Sequence, residues 1–111
     1  LAALAALKSA VLPKLKDDLV VYGEFTKKPL PLTVTPVTST IVKVGNKLMV
    51  DPCSEEEEVM NTRLTVAISE KGNVHAMQLG GTGGLNNKEV DKAISIAKKT
   101  TDALRKTLKW N

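Results

Sequence analysis

The sequence predicts a two-layer α+β domain. Three features carry that expectation: two stretches of β-branched residues that each double back across a short turn, a helix-start signal after each stretch, and a long amphipathic segment near the C-terminal end. The elements follow in chain order. Residues 1–12 are rich in Ala and Leu, good helix formers, and are apolar on nearly every side until Pro13 closes the run. A helix of that character is expected to be buried, and with no cap visible at Leu1 it reads as the end of a helix that begins upstream. Residues 13–31 mix Pro, Lys, Asp and Gly around one short β-rich run at 19–22, so they are expected to be a connection with one edge strand at most.

From Thr33 the character changes. Residues 37–44 and 47–51 are β-rich runs separated by Gly45-Asn46, a pair suited to a tight hairpin of the primed class. Residues 63–69 place Leu64, Val66 and Ile68 on one face, and 73–79 follow across Glu70, Lys71 and Gly72 as a second hairpin. Between the hairpins, Ser54 with Glu57 has the spacing of a capping box and opens a short helix to about Asn61. After the glycine-rich segment 80–84, Asn86 with Glu89 repeats the box and opens a helix to about Leu108. Its apolar stripe is Val90, Ala93, Ile94, Ala97, Leu104 and Leu108.

Composition narrows the function classes. The 111 residues are 42% hydrophobic and 25% charged, ordinary globular usage for one domain that buries roughly 60 to 70% of its unfolded surface. Aromatic residues make up 3%, so the core must be aliphatic. One cysteine, Cys53, and one histidine, His75, exclude both an intramolecular disulfide framework and a Cys/His zinc site, and they fit a reducing, cytoplasmic setting. The longest apolar run, 1–7, is too short to cross a bilayer, so no membrane partner is expected. The net charge of +4 is unevenly placed, with Lys88, Lys92, Lys98, Lys99, Arg105, Lys106 and Lys109 on the last helix. That face can hold RNA phosphates or simply be solvated.

The remaining candidates favour structural roles. Glu55 to Glu58 are carboxylates in a first helical turn, where they suit the helix dipole and point around the axis instead of converging on a cation; no metal or cofactor is expected. The glycines of 80–84 lack the Lys and Ser/Thr of a P-loop and read as a flexible strand-to-helix connection. Neither His75 nor Cys53 has partners in a catalytic pattern. Tyr22, Phe25 and Trp110 are too few and too scattered for a base-stacking platform.

The segment VDPCSEEEEVMNTRLTVA at 50–67 resembles the RNase PH family, in particular the non-catalytic RNase PH-like subunit of the archaeal exosome. The resemblance continues through GNVHAMQ at 72–78 and EVDKAI at 89–94, and LPKL at 12–15 is similar to the opening of the second half of that domain. It implies that residues 33–111 are an RNase PH-like C-terminal domain, and that 1–32 are a buried helix and connecting segment cut from a first half. In active relatives, two aspartates six residues apart serve phosphorolysis. Those positions fall on Glu57 and Arg63 here, and Arg63 puts a permanent cation where a proton donor is needed.

The resemblance therefore implies no catalytic residue and no enzyme activity in this chain, but a ring subunit. It would pair with the catalytic RNase PH-like subunit in an oligomeric ring that degrades RNA from the 3′ end, with Arg63, Lys98 and Arg105 as candidate RNA contacts. The competing readings are an active phosphorolytic exoribonuclease and a freestanding RNA-binding module.

Overall fold

The computed structural model describes residues 1–107 and divides into two units, Leu1–Thr35 and Pro36–Asn111. Leu108, expected to end the last helix, and Lys109 and Trp110 lie outside the described residues.

In the first unit, helix α1 spans Ala2–Ser9, shorter than the run predicted from composition. The chain leaves the helix at Ala10, whose ψ of 141° is extended, because residues 11–16 have a pairing partner. Strand β1 (Val11–Lys16) and strand β2 (Leu19–Pro29) form a two-stranded antiparallel ribbon. A connection with one edge strand at most was the expectation. Pro13 does not close a helix but sits opposite Phe25 in this ribbon, where among the described residues neither strand has a second neighbour and a missing N–H costs little. The register shifts on either side of Pro13, and the ribbon is held by the Lys14–Glu24 ion pair at 2.7 Å and by the Thr26 hydroxyl donating to the Leu12 carbonyl at 2.8 Å. Within α1 only Leu4 is buried, while Leu1 and Leu7 are exposed.

The second unit is the expected two-layer α+β arrangement. Strands β3 (Val37–Val44) and β4 (Lys47–Val50) make the first hairpin, with Val44 opposite Lys47 across the two-residue Gly45-Asn46 loop. Strands β5 (Thr62–Ile68) and β6 (Val74–Gly81) make the second. The two hairpins join through β3 and β5 into one antiparallel sheet of order β4-β3-β5-β6. Ile41 faces Leu64 and Ser39 faces Val66 across that central pair, so the alternation of each strand stacks on one side of the sheet.

Helix α2 (Ser54–Val59) connects the hairpins. Its box is displaced by one residue from the predicted one: Cys53 is the N-cap, and its backbone N–H donates to the Glu56 carboxylate at 2.9 Å. Helix α3 (Asn87–Thr107) has the predicted box, with Asn86 N–H donating to Glu89 Oε2 at 2.9 Å and Glu89 N–H donating to Asn86 Oδ1 at 3.0 Å. Its buried residues are Ala93, Ala97 and Thr101, one every four positions. They lie over the sheet in a core of Ile41, Leu64, Val66, Ile68, Ala93 and Ala97, with Leu48, Val50, Leu85 and Ile96 packed against it. Two alanines at the centre let the helix approach the strands closely. Thr101 occupies the gap in the apolar stripe and remains satisfied by donating to the Lys98 carbonyl at 3.1 Å.

Candidate functional site

The face of the sheet away from the core carries the chemistry. Because side chains alternate, the residues between the core positions point the other way: Thr38, Thr40 and Val42 from β3, Arg63, Thr65 and Ala67 from β5, and Ala76, Gln78 and Gly80 from β6. Arg63 is exposed and has no ion-pair partner among the described residues. Its side chain lies across Gly80, where an added Cβ would come within 2.9 Å of Nε and 3.3 Å of Cγ. Beside it the Thr40 and Thr65 hydroxyls are hydrogen-bonded to each other at 2.8 Å.

Two cavities share Arg63 and Thr40. The smaller, about 120 Å³, is lined by Thr40, Arg63, Thr65, Gln78 and Gly80. The larger, about 630 Å³, opens where β4 ends at Val50 and leaves the first half of β3 without a neighbour on that side. Its walls are Thr40 and Val42 of β3, Val50, Asp51 and Pro52 after β4, Glu57 and Met60 from α2, Arg63 of β5, and Thr100 and Leu104 of α3. Asp51 holds a left-handed φ of 55° at its rim, immediately before Pro52. Glu57 and Arg63, the two positions singled out by comparison with active relatives, therefore line one cavity, although no ion pair joins them.

The other basic candidates do not converge with Arg63. Lys98 is exposed on α3, whereas Arg105 turns inward and donates from Nη2 to the Ile68 carbonyl. The Glu55 carboxyl is held below the usual carboxylate range by a backbone hydrogen bond and by the Cys53 side chain, so it works locally at the start of α2. No group of His, Cys, Asp and Glu able to hold a metal occurs among the described residues. His75 is exposed where β6 bulges, between the Ala67–Ala76 and Ile68–Val74 pairs. No described helix is long and apolar enough to cross a membrane.

The glycine segment is more than a flexible connection. Gly81 has a φ of 97°, and a Cβ there would sit 2.4 Å from the Asn61 carbonyl oxygen. Gly83 donates its N–H to that same carbonyl at 2.8 Å. These contacts pin the segment against the start of β5, and composition alone gave no sign of them. Gln78 and the Thr40–Thr65 pair were also missed, because single polar residues on strands carry no signal until the register places them beside Arg63.

Two antiparallel hairpins zipped into one sheet, a long helix on one side and an arginine-bearing open face on the other define an RNase PH-type second domain. The model of the "3′ exoribonuclease family, domain 2" matches residues 35–100, and the chain belongs to that family. It is 41% identical over 107 residues to the exosome complex component Rrp42 of Methanopyrus kandleri, covering 95% of this chain and 40% of that protein. It is 38% identical to the protein of the same name from Thermococcus gammatolerans, covering 97% of this chain and 41% of that one.

Among solved structures, an Archaeoglobus fulgidus exosome with RNA bound to the active site superposes with a TM-score of 0.78 at 36% identity, covering 96% of this chain and 40% of that one. An archaeal exosome core gives 0.75 at 35% identity, covering 96% and 41%. The chain thus spans about two fifths of the length of the proteins it matches.

Proposed function

We propose that this chain is the second-domain part of a non-catalytic ring subunit of an archaeal-type RNA exosome, working in the cytoplasm. It pairs with the catalytic RNase PH-like subunit and supplies interface and part of the RNA path while the partner cleaves. The observation that carries this reading is Arg63, in the same cavity as Glu57. In active relatives both positions hold acids that serve phosphorolysis. A guanidinium stays protonated at working pH and cannot hand a proton to a leaving oxygen, so of the two acid positions only Glu57 keeps a carboxylate and the pair that serves the reaction is broken. The same charge suits RNA phosphates. Arg63 and Lys98 are the proposed direct contacts, and Arg105 adds to the positive field while it holds Ile68.

The test is twofold. Incubated with single-stranded RNA, phosphate and magnesium, the chain should release no nucleoside diphosphates above the buffer control. Mixed with a catalytic RNase PH-like exosome subunit, it should co-elute as a larger species. Diphosphate release by the purified chain would establish the active exoribonuclease instead. RNA binding by a monomer that ignores the catalytic subunit would establish a freestanding module.

A further inference from the structure

We infer that the small notch on the open sheet face, built by Arg63, Gln78, Thr40 and Thr65 over Gly80, is a binding site for a single tetrahedral phosphate group. Its volume of about 120 Å³ is roughly that of four waters, enough for a phosphate group. Its walls supply donors and no carboxylate. The Arg63 guanidinium has no ion-pair partner among the described residues, so its charge is available to a ligand. The threonine hydroxyls spend one proton on each other, and the accepting hydroxyl keeps its own proton free to turn toward the notch. Gln78 adds an amide from the neighbouring strand, directly across from Thr65.

Gly80 is what makes this a built site. With only hydrogen at that position the Arg63 stem lies flat on β6, since a Cβ would meet Nε at 2.9 Å. The guanidinium is thereby kept over the sheet beside Gln78, so less side-chain freedom is lost when an anion docks. Asp51 and Glu57 line only the larger cavity next to it. The phosphate can come from solution or from an RNA chain. Only the second source rests on the function proposed above.

Proton–nitrogen NMR of the 111-residue chain tests this with two probes. Inorganic phosphate should shift the Arg63 Nε–H and Gln78 amide signals saturably, and chloride at equal ionic strength should not. Arg63→Gln should abolish the response. Gly80→Ala keeps every charge but displaces the guanidinium, and should weaken phosphate binding roughly tenfold, as expected when a charge-assisted contact is misplaced. A short single-stranded RNA that produces the same shifts and competes with phosphate identifies RNA as the source; a response to phosphate alone identifies the free ion. Shifts reproduced by chloride, shifts that persist in Arg63→Gln, or no response at Arg63 would each overturn the inference. Failure to join a ring would leave the notch standing, whereas loss of the phosphate response would leave ring assembly standing.

Discussion

Single residues in this chain are decided by close approach more than by chemistry. Gly81 combines a left-handed φ of 97° with a position where a Cβ would sit 2.4 Å from the Asn61 carbonyl oxygen. Gly81→Ala should therefore destabilise the second unit by about 2 kcal/mol or more, through backbone strain and displacement of β6 from the start of β5. Urea unfolding followed by circular dichroism measures it, and a change within about 0.5 kcal/mol, the surface background, would show that the loop relaxes freely. The ribbon turn offers the opposite case. Asp17 and Asp18 both hold positive φ, 51° and 63°, in the two-residue loop between Lys16 and Leu19. Asn-Gly fits that geometry better, so the double substitution Asp17→Asn, Asp18→Gly should stabilise the ribbon by about 1 kcal/mol, read as slower amide exchange across β1 and β2.

Among the elements, α3 depends on its first turn. Asn86 caps it, and the Glu89 carboxylate both closes the box and pairs with Lys43 of β3 at 2.7 Å, tying the helix start to the sheet. Asn86→Ala should cost about 1 kcal/mol, the usual value of a lost N-cap. The bond from Lys43, and next the backbone N–H of Asn86, hold the Glu89 carboxyl below its ordinary value of 4.5. A carboxyl depressed in the folded state stabilises it fully above the unfolded value, and that contribution is lost as pH falls from about 4.5 through the lower folded value. Thermal melts of the native chain should drop over that acid range. Glu89→Gln should start a few degrees lower at neutral pH and lose less on acidification. Parallel pH profiles for the two proteins would show that Glu89 does not carry the effect.

At the scale of the whole molecule, charge and aromatic content together set what RNA binding can be. A net charge of +4 with 3% aromatic residues provides phosphate contacts and almost no stacking. Affinity of the chain alone for single-stranded RNA should be weak, insensitive to base sequence, and steeply reduced by salt through counterion release. Assembled in a ring the affinity should rise, because several chains line one path. Fluorescence titrations at low and moderate salt check this, and tight binding that survives high salt, or a marked base preference, would contradict it.

What the sequence by itself determined lies in its local signals. The two hairpins, the box at Asn86 and Glu89, and most of the stripe on α3 were legible because turn chemistry, capping and hydrophobic period act between residues a few positions apart. Resemblance added the family, together with the opposition of Glu57 and Arg63. Local rules failed where a distant partner outbid them. Pro13 reads as a helix stop, yet the chain had already left the helix to pair residues 11–16 with β2. Ser54 reads as the cap, but the extended backbone at Cys53 moved the box one residue earlier. Thr101 is polar and still fully buried, since it falls on the turn between Ala97 and Leu104 that faces the sheet. The candidate site belongs wholly to this second kind. Arg63, Gln78 and Thr40 are far apart along the chain, and only the pairing of β3 with β5 and of β5 with β6 aligns them on one face. Register is a long-range choice, set by burying Ile41, Leu64 and Val66 under α3, and the face left open is whatever that burial turns outward.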